Sequence, residues 1–166
     1  MEEAALRRFA RDGYDATSVE AIAADAGVSA RTFFRYFATK DDVVDMGRDE
    51  RQAELRSAIQ SRRDLTDAEV VREAILVMAR GFESDRARVL LRQEAAASSV
   101  VLRGRIFDMF LSWEFIVARE LGGTAEADAL AAAGIGVFRA ATVRWLRDGG
   151  SLPDRVGAGF DALGVL

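Results

Sequence analysis

Residues 17 to 40 contain two short helical patterns that are separated by only three residues. The first pattern opens with Thr17, and Thr17 and Glu20 have the spacing of a capping box. Gly27 ends this helix, and Ser29 is the predicted N-cap of the next one. Because so short a connection forces two helices to pack at a steep angle, the stretch predicts a helical pair of fixed geometry.

Each helix of this pair has one apolar face. In the first helix the apolar residues follow the i, i+3, i+4 and i+7 spacing of a buried stripe, at Val19, Ile22, Ala23 and Ala26. In the second helix, Val28 and Phe33 have the spacing of a hydrophobic staple, which fixes the direction in which a helix begins. The pair therefore has a core of its own and one free face.

The second helix and the residues after it carry positive charge without negative charge. Arg31, Arg35 and Lys40 are the charged residues between positions 26 and 40, although the whole chain has a formal net charge of −4. Local sign matters more than total charge when one face meets a partner. This basic face indicates either a nucleic-acid contact or a solvated helix edge, and composition alone leaves both open.

The remainder of the sequence predicts helices rather than strands. Hydrophobic residues make up 50% of the chain and charged residues 30%, with a single proline, which is typical of a globular helical protein. A capping box at Thr66 and Glu69, a cap at Thr124 and a first-turn Pro153 mark later helices. We found no two-residue alternation of strands, so the predicted fold is all-α with about nine helices.

The residue types that are missing exclude several kinds of site. The chain has no cysteine and no histidine, which rules out disulfides, thiol nucleophiles, thiolate zinc sites and histidine-based triads. An enzyme would have to rely on a buried pair of carboxylates, and no Glu-x-x-His spacing exists. We therefore predict no enzymatic activity, no cofactor and no metal.

The sequence also contains information about the cellular compartment of the protein. The first residues are charged and lack the apolar region of a signal peptide. No uninterrupted apolar run approaches the length of a bilayer span. The predicted localisation is cytoplasmic, with no membrane partner.

The run GYDATSVEAIAADAGVSARTFFRYFATKDDVV resembles the DNA-binding domain of the TetR family of transcriptional regulators. The matching positions keep the family's spacing without gaps, at Thr17, Ile22, Ala23, Ala26, Gly27, Val28, Ser29, Thr32, Tyr36, Phe37, Lys40 and Asp41. The resemblance covers residues 2 to about 48, and the rest of the chain fits in helix count and order. It implies a helix-turn-helix DNA-binding domain at 1–48 and a ligand-binding and dimerisation domain at 49–166.

By this resemblance the protein is a homodimeric, ligand-responsive and sequence-specific DNA-binding regulator. It is expected to be a repressor that a small hydrophobic or amphipathic effector releases from a palindromic DNA operator. A second helix seated in the major groove predicts contacts with DNA from Thr17, Ser18, Ser29, Ala30, Arg31, Thr32, Arg35, Tyr36 and Lys40. The alternative is a helical adaptor whose basic helix meets an acidic protein.

Three departures from the family pattern concern DNA binding. Many members have glycine where this chain has Arg31, so we expect an additional base or phosphate contact. Many have tyrosine where this chain has Phe34, so a phosphate-binding hydroxyl is expected to be missing. Members usually carry a basic arm and more of helix 1, and without them we expect weaker non-specific binding.

The C-terminal part contains candidate positions for an effector. An apolar helix from Val100 to Leu121 is expected in the middle of a bundle, because most of its sides are apolar. The predicted cavity residues are Met78, Phe82, Phe107, Met109, Phe110 and Trp113, with Arg92, Arg103 or Glu114 as a polar anchor. Plain core packing is the competing explanation for each of them.

The predicted dimer interface combines a stripe of small residues with the last helix. Its members are Ala129, Ala133, Gly136, Ala140, Val156, Phe160 and Leu163. A parallel stripe of Phe138, Ala141 and Trp145 faces either the core or the interface. Small residues let two helices approach closely, so tight packing within one chain explains the stripe equally well.

Overall fold

The computed structural model describes residues 1–62 and 64–164, and these ranges form nine α-helices and no β-strand. The helices are α1 (Glu2–Asp12), α2 (Val19–Asp25), α3 (Ala30–Tyr36), α4 (Arg48–Gln60), α5 (Asp67–Ser84), α6 (Arg86–Ala97), α7 (Val100–Glu120), α8 (Ala125–Asp148) and α9 (Leu152–Leu163). A short 3₁₀ helix, Asp41–Asp45, lies between α3 and α4. The predicted all-α fold is confirmed.

The chain forms two compact units. Unit 1 consists of Met1–Gly47 and Ala87–Met109, and unit 2 consists of Arg48–Arg86 and the chain from Phe110 onward. The helix α7 is continuous and supplies its first half to unit 1 and its second half to unit 2. The functional division after residue 48 stays a prediction, and unit 1 includes a returning segment that we did not predict.

Unit 1 has a single core to which distant segments of the chain contribute. Its fully buried residues come from α1, α2, α3, the 3₁₀ helix, α6 and α7, at Ala5, Leu6, Phe9, Ile22, Ala23, Phe33, Phe37, Val43, Val44, Ala95, Ala96 and Leu102. Since Ala95, Ala96 and Leu102 belong to the returning segment, the first 47 residues do not close this core by themselves.

A buried ion pair joins the start of the chain to α6 in unit 1. Arg92 donates to the carboxylate of Glu2 from both Nε and Nη2, and also to the carbonyl oxygen of Met46 at 3.0 Å. Both side chains are almost fully buried. Arg92, which we considered as a polar anchor for an effector, is therefore engaged in holding unit 1 together.

The segment that follows α3 contains two separate helical elements. Asp42 accepts a hydrogen bond from the backbone amide of Thr39 at 2.8 Å, which fixes the turn at the start of the first element. The 3₁₀ helix follows, and Gly47 then takes a positive φ of 74° before α4 begins. Such a φ is easily reached by glycine alone, which explains why the chain turns at this position.

In unit 2, α5 packs against α4, α8 and α9. The capping box of Thr66 and Glu69 opens α5 as predicted. An ideal Cβ built on Gly134 of α8 would lie 2.5 Å from Cγ1 of Val71 on α5, so glycine is required for this close approach. One small residue of α8 therefore serves packing within the chain.

Two residues of the predicted dimer interface belong to the core of unit 2. Val156 and Phe160 are fully buried within the single chain, as are Phe138 and Trp145. The physical reason is that α9 is amphipathic and turns its large side chains towards α5 and α8. This places the apolar stripe of α9 and the parallel stripe of α8 in the protomer's own core.

The helix α7 is not enclosed on all sides. Its large exposed hydrophobic residues are Val100, Val101, Phe107, Leu111 and Phe115. Phe107, which we predicted to line a cavity, belongs to unit 1 and has 53% of its surface exposed. The expectation of a central helix failed because composition does not show which apolar residues find a neighbour.

Among the described helices, α8 is long and apolar enough to span a bilayer by length and composition alone. Its most apolar 18-residue window has a mean hydropathy of 1.3, and 39% of that window is buried in the protein. Core helices of soluble proteins have the same properties, and small residues rather than large ones give α8 its apolar character.

Candidate functional site

The helices α2 and α3 are fixed by their caps. The Oγ of Ser18 accepts a hydrogen bond from the amide of Ala21 at 3.1 Å, and that of Ser29 accepts one from the amide of Thr32 at 3.1 Å. Gly27, with a φ of 68°, provides the turn between them. The capped pair is a rigid platform, and Ser29 is its cap as predicted.

Thr17 is not the cap of α2. It is 3% exposed, and its Oγ1 donates a hydrogen bond to the carbonyl oxygen of Gly13 at 2.7 Å. The cap lies one residue later, at Ser18, which is exposed. Thr17 therefore fixes the turn after α1, and its hydroxyl is not free for a phosphate.

Lys40 is used within the protein. Its Nζ donates to the carbonyl oxygens of Tyr14 at 2.6 Å and Thr17 at 3.0 Å, and lies 4.1 Å from the centre of the Tyr14 ring. These contacts tie the end of the helical pair to the turn that precedes it. A direct role of Lys40 at a phosphate stays a prediction, and its structural role is to hold α3 in place.

The free face of α3 combines cations with aromatic rings. Arg31 and Arg35 are exposed, and Phe34 and Tyr36 have 53% and 61% of their surfaces exposed. The guanidinium of Arg35 lies 4.8 Å from the centre of the Tyr36 ring and donates to its hydroxyl at 3.1 Å. This face therefore offers donors together with apolar contact area.

Phe34 was not among the predicted DNA contacts, although helical spacing could have identified it. Phe33 and Phe37 lie four residues apart and are both buried, with ring centres 5.1 Å apart. The residue after Phe33 must then point about 100° away from this buried face. Its exposure makes Phe34 part of the same surface as Arg31.

Arg105 of α7 connects the segment after α3 to the rest of unit 1. Its guanidinium donates to Asp41 at 2.6 and 2.8 Å, to Asp42 at 3.0 Å and to Asp45 at 3.2 Å. Tyr14 donates to the other oxygen of Asp41 at 3.1 Å. No local pattern could have identified Arg105, because the partners are 60 or more residues apart in sequence.

This cluster changes the titration of two of its members. Burial alone would raise the pKa of Asp41, but the hydrogen bonds it accepts, above all from Arg105, hold that pKa below its ordinary value. Burial and the hydrogen bond to Asp41 raise the pKa of Tyr14 to about 12. Asp41 is therefore ionised and Tyr14 is neutral near neutral pH.

Four aromatic rings pack together in unit 2. Trp113 lies 5.8 Å from Phe82, 5.6 Å from Phe110 and 6.1 Å from Phe138, measured between ring centres, and all three pairs meet edge to face. We call these four residues the aromatic cluster. Its members Phe82, Phe110 and Trp113 were predicted effector contacts, and Met78 and Met109 are also buried.

The helices α8 and α9 border an open groove of about 880 Å³ on the surface of unit 2. Its lining includes four predicted interface residues, namely Ala133, Gly136, Ala140 and Leu163, with Ala158 and Gly159 on the α9 side. Ala129 is exposed on the same helix as the first three. An ideal Cβ on Gly136 has no atom within 4 Å, so nothing within the chain requires glycine there.

Comparison with known proteins identifies the family. Residues 3–45 match the family described as bacterial regulatory proteins of the tetR family. A Mycobacterium tuberculosis protein named as a mycofactocin biosynthesis transcriptional regulator, MftR, is 31% identical over 176 residues, covering 99% of this chain and 88% of the relative. The chain belongs to the tetR family. It is accordingly a ligand-responsive DNA-binding transcriptional regulator, and members of this family are generally transcription factors without enzymatic activity.

Solved structures of two bacterial regulators share the fold along nearly the whole chain. The Thermus thermophilus repressor FadR, solved in complex with lauroyl-CoA, is 23% identical with a TM-score of 0.62, covering 99% of this chain and 93% of its own. The fatty acid degradation regulator FadR of Bacillus halodurans is 20% identical with a TM-score of 0.65, covering 98% and 91%.

Proposed function

We propose that this tetR-family protein is a cytoplasmic homodimer that represses transcription from a palindromic operator until an acyl compound binds its unit 2. The observation that carries the proposal is the free face of α3, where exposed arginine and aromatic side chains stand on a helix with a serine cap at its start. Two such faces, related by a two-fold axis, match two half-sites of an operator.

In this proposal Arg31 reads a base. It lies in the first turn of α3 and is exposed, and no described residue forms a hydrogen bond or ion pair with its side chain, which leaves its five donors available. An arginine in this place can bind the O6 and N7 atoms of a guanine in the major groove at the same time. Arg35, held against Tyr36, is better placed as a phosphate contact that sets orientation.

We expect Arg31→Ala to weaken operator binding by about tenfold or more, the value of one bidentate base contact of roughly 1–3 kcal/mol. The preference at one base pair of each half-site should relax at the same time. The operator is first recovered by selection from genomic fragments, and affinity is then measured by fluorescence anisotropy on the operator and its single-base variants.

The matched control is Arg139→Ala, which removes the same charge from an exposed position on α8. It should leave both affinity and sequence preference unchanged. If Arg31→Ala weakened all sequences equally and lowered the salt dependence, Arg31 would be a phosphate contact rather than a base reader.

Phe34→Tyr should strengthen operator binding by a factor of about three to ten, since one added hydrogen bond contributes a net value of about 0.5–1.5 kcal/mol. The side chain is already exposed on α3, so the added hydroxyl meets solvent or DNA rather than the core. Anisotropy titrations of the two proteins on the same operator measure the difference. An unchanged affinity would place Phe34 away from the phosphates, in contact with thymine methyl groups or with water.

For the effector, the aromatic cluster is the best apolar candidate in unit 2. Phe82 and Phe110 are half-buried at its edge, whereas Trp113 and Phe138 are fully buried. The complex of a related repressor with lauroyl-CoA supports an acyl compound as the ligand class. An apolar chain of this kind would exchange water for contact with the four rings.

Lauroyl-CoA is expected to lower operator affinity by about tenfold or more, within the usual range of coupling between two sites. Isothermal titration calorimetry measures binding to the free protein, and anisotropy measures release of the labelled operator. Coenzyme A alone is the control, because it lacks the apolar chain. Binding without any change in operator affinity would contradict the proposed role of the ligand.

A further inference from the structure

The buried indole of Trp113 has a donor for which no described residue serves as acceptor. Trp113 is fully buried, and its Nε1 has no hydrogen-bond partner among the described residues. The other tryptophan, Trp145, is equally buried, yet its Nε1 donates to the carbonyl oxygen of Gly150 at 3.0 Å. The fold therefore satisfies one buried indole and leaves the other open.

An open donor in this place calls for a physical explanation. Nearly all buried polar groups in folded proteins have a partner, and an unpaired one is costly in an apolar environment. The rings around Trp113 are three phenylalanines, which bring no acceptor oxygen. The orphaned donor thus belongs to a member of the aromatic cluster.

We infer that the Nε1 of Trp113 donates a hydrogen bond to the neutral carbonyl oxygen of an acyl thioester bound in the aromatic cluster. This inference rests on the proposed function, whose effector is an acyl compound, and names the group that recognises its head. Trp113 would then separate true acyl ligands from hydrocarbon chains of the same length. Its role is ligand recognition.

The chemistry of the cluster favours a neutral carbonyl over other polar groups. Indole is a donor only, so its partner must be an acceptor. A hydroxyl would accept the bond but would bring its own donor into the same apolar surroundings. A carboxylate would exchange hydration for aromatic rings, which is far more costly for a charge than for a neutral oxygen. A thioester carbonyl accepts the hydrogen bond and is itself neither a donor nor a charged group.

Access to Trp113 is possible from the edge of the cluster. Phe82 and Phe110 are half-buried and contact Trp113 edge to face, so movement of these two rings is the route that we propose for a ligand to reach the indole. Phe110 is on α7 three residues before Trp113, and Phe82 is near the end of α5. The ligand's chain would take the place of these rings beside Trp113.

The test compares two ligands on two proteins. The ligands are lauroyl-CoA and S-dodecyl-CoA, a thioether in which a methylene replaces the carbonyl, and the proteins are wild type and Trp113→Phe. Calorimetry should show that the substitution weakens the binding of lauroyl-CoA about five- to tenfold, which corresponds to the net value of one hydrogen bond. The affinity for S-dodecyl-CoA should be unchanged. Equal loss for both ligands, or no loss for either, overturns the inference.

A second measurement keeps the test independent of how well the variant folds. Wild-type protein labelled with ¹⁵N-tryptophan gives one indole N–H signal for Trp113 and one for Trp145, assigned with Trp145→Phe. Lauroyl-CoA should move the Trp113 signal downfield and slow its exchange with solvent, and S-dodecyl-CoA should do neither. A Trp113 signal that both ligands move alike, or that neither moves, overturns the inference.

Laurate, the free acid, tests whether the acceptor is a neutral thioester carbonyl or a carboxylate. We expect the free acid to bind much more weakly than lauroyl-CoA, and equal or tighter binding of laurate contradicts a neutral acceptor. If lauroyl-CoA binds and releases the operator equally well with both proteins, the proposed function stands and the role of Trp113 fails. If lauroyl-CoA does not bind wild type at all, the proposed effector class and the inference fail together.

Discussion

Gly136→Glu is expected to abolish dimer formation while leaving the protomer folded. An ideal Cβ on Gly136 meets no atom within 4 Å, and the residue lines the groove between α8 and α9. A glutamate there points into the groove, where solvent receives it in a single protomer. In a dimer that covers this groove, each added carboxylate would be taken out of water and placed against the small apolar residues of the lining, which is strongly unfavourable.

Loss of the dimer should reduce operator affinity by about a hundredfold or more, because the two linked half-site contacts become independent. Analytical ultracentrifugation measures assembly, and anisotropy measures operator binding. The melting temperature should stay close to that of wild type. A variant that remains dimeric would show that the groove is not the interface.

The matched control lies two residues earlier on the same helix. An added Cβ at Gly134 would lie 2.5 Å from Val71 of the same protomer, so Gly134→Ala should destabilise the protomer by about 1–3 kcal/mol through overpacking. The two variants thereby separate assembly from folding. Similar effects on the melting temperature would contradict the packing seen here.

Arg105→Ala should destabilise unit 1 by about 3 kcal/mol, since it leaves three neighbouring carboxylates without their shared cation. These carboxylates belong to Asp41, Asp42 and Asp45, and Asp41 is almost fully buried. Urea unfolding monitored by circular dichroism measures the free energy of unfolding. The control is Arg103→Ala, whose guanidinium donates only to backbone carbonyls at the end of α6.

The free energy of unfolding should depend on pH in opposite directions in wild type and in Arg105→Ala. In wild type the pKa of Asp41 is lowered in the folded state, so its contribution to stability is complete above its unfolded pKa of about 4 and is lost at lower pH. In Arg105→Ala the unshielded carboxylates repel one another, and protonation relieves this repulsion. Stability should therefore rise as the pH falls from 7 towards 4. A parallel fall in both proteins would contradict this account.

Local patterns sufficed for the elements that local chemistry determines. The turn at Gly27, the cap at Ser29 and the capping box of Thr66 and Glu69 each depend on residues within one helical turn, and all are present. The spacing to Glu20 favoured Thr17 over the adjacent Ser18 as the cap of α2, and this prediction was wrong. The hydroxyl of Thr17 found a nearer acceptor in Gly13.

Positions that depend on distant neighbours could not be predicted. Whether Phe160 meets a partner or its own chain depends on where α9 packs, and the apolar pattern is the same in both cases. Lys40 is equally informative. A lysine after a basic helix suggests a phosphate contact, yet its ammonium binds the carbonyls of a turn more than 20 residues away.

The discontinuity of unit 1 limits how regulators of this kind can be recombined. A hybrid that joins residues 1–47 to the C-terminal part of another regulator would lack Ala95 and Leu102. One side of the core of unit 1 would then be exposed. Glu2 and Asp41 would lose Arg92 and Arg105 in the same cut. Exchange of operator specificity should therefore succeed when residues 87–109 are transferred together with residues 1–47, or when only the residues on the free face of α3 are substituted.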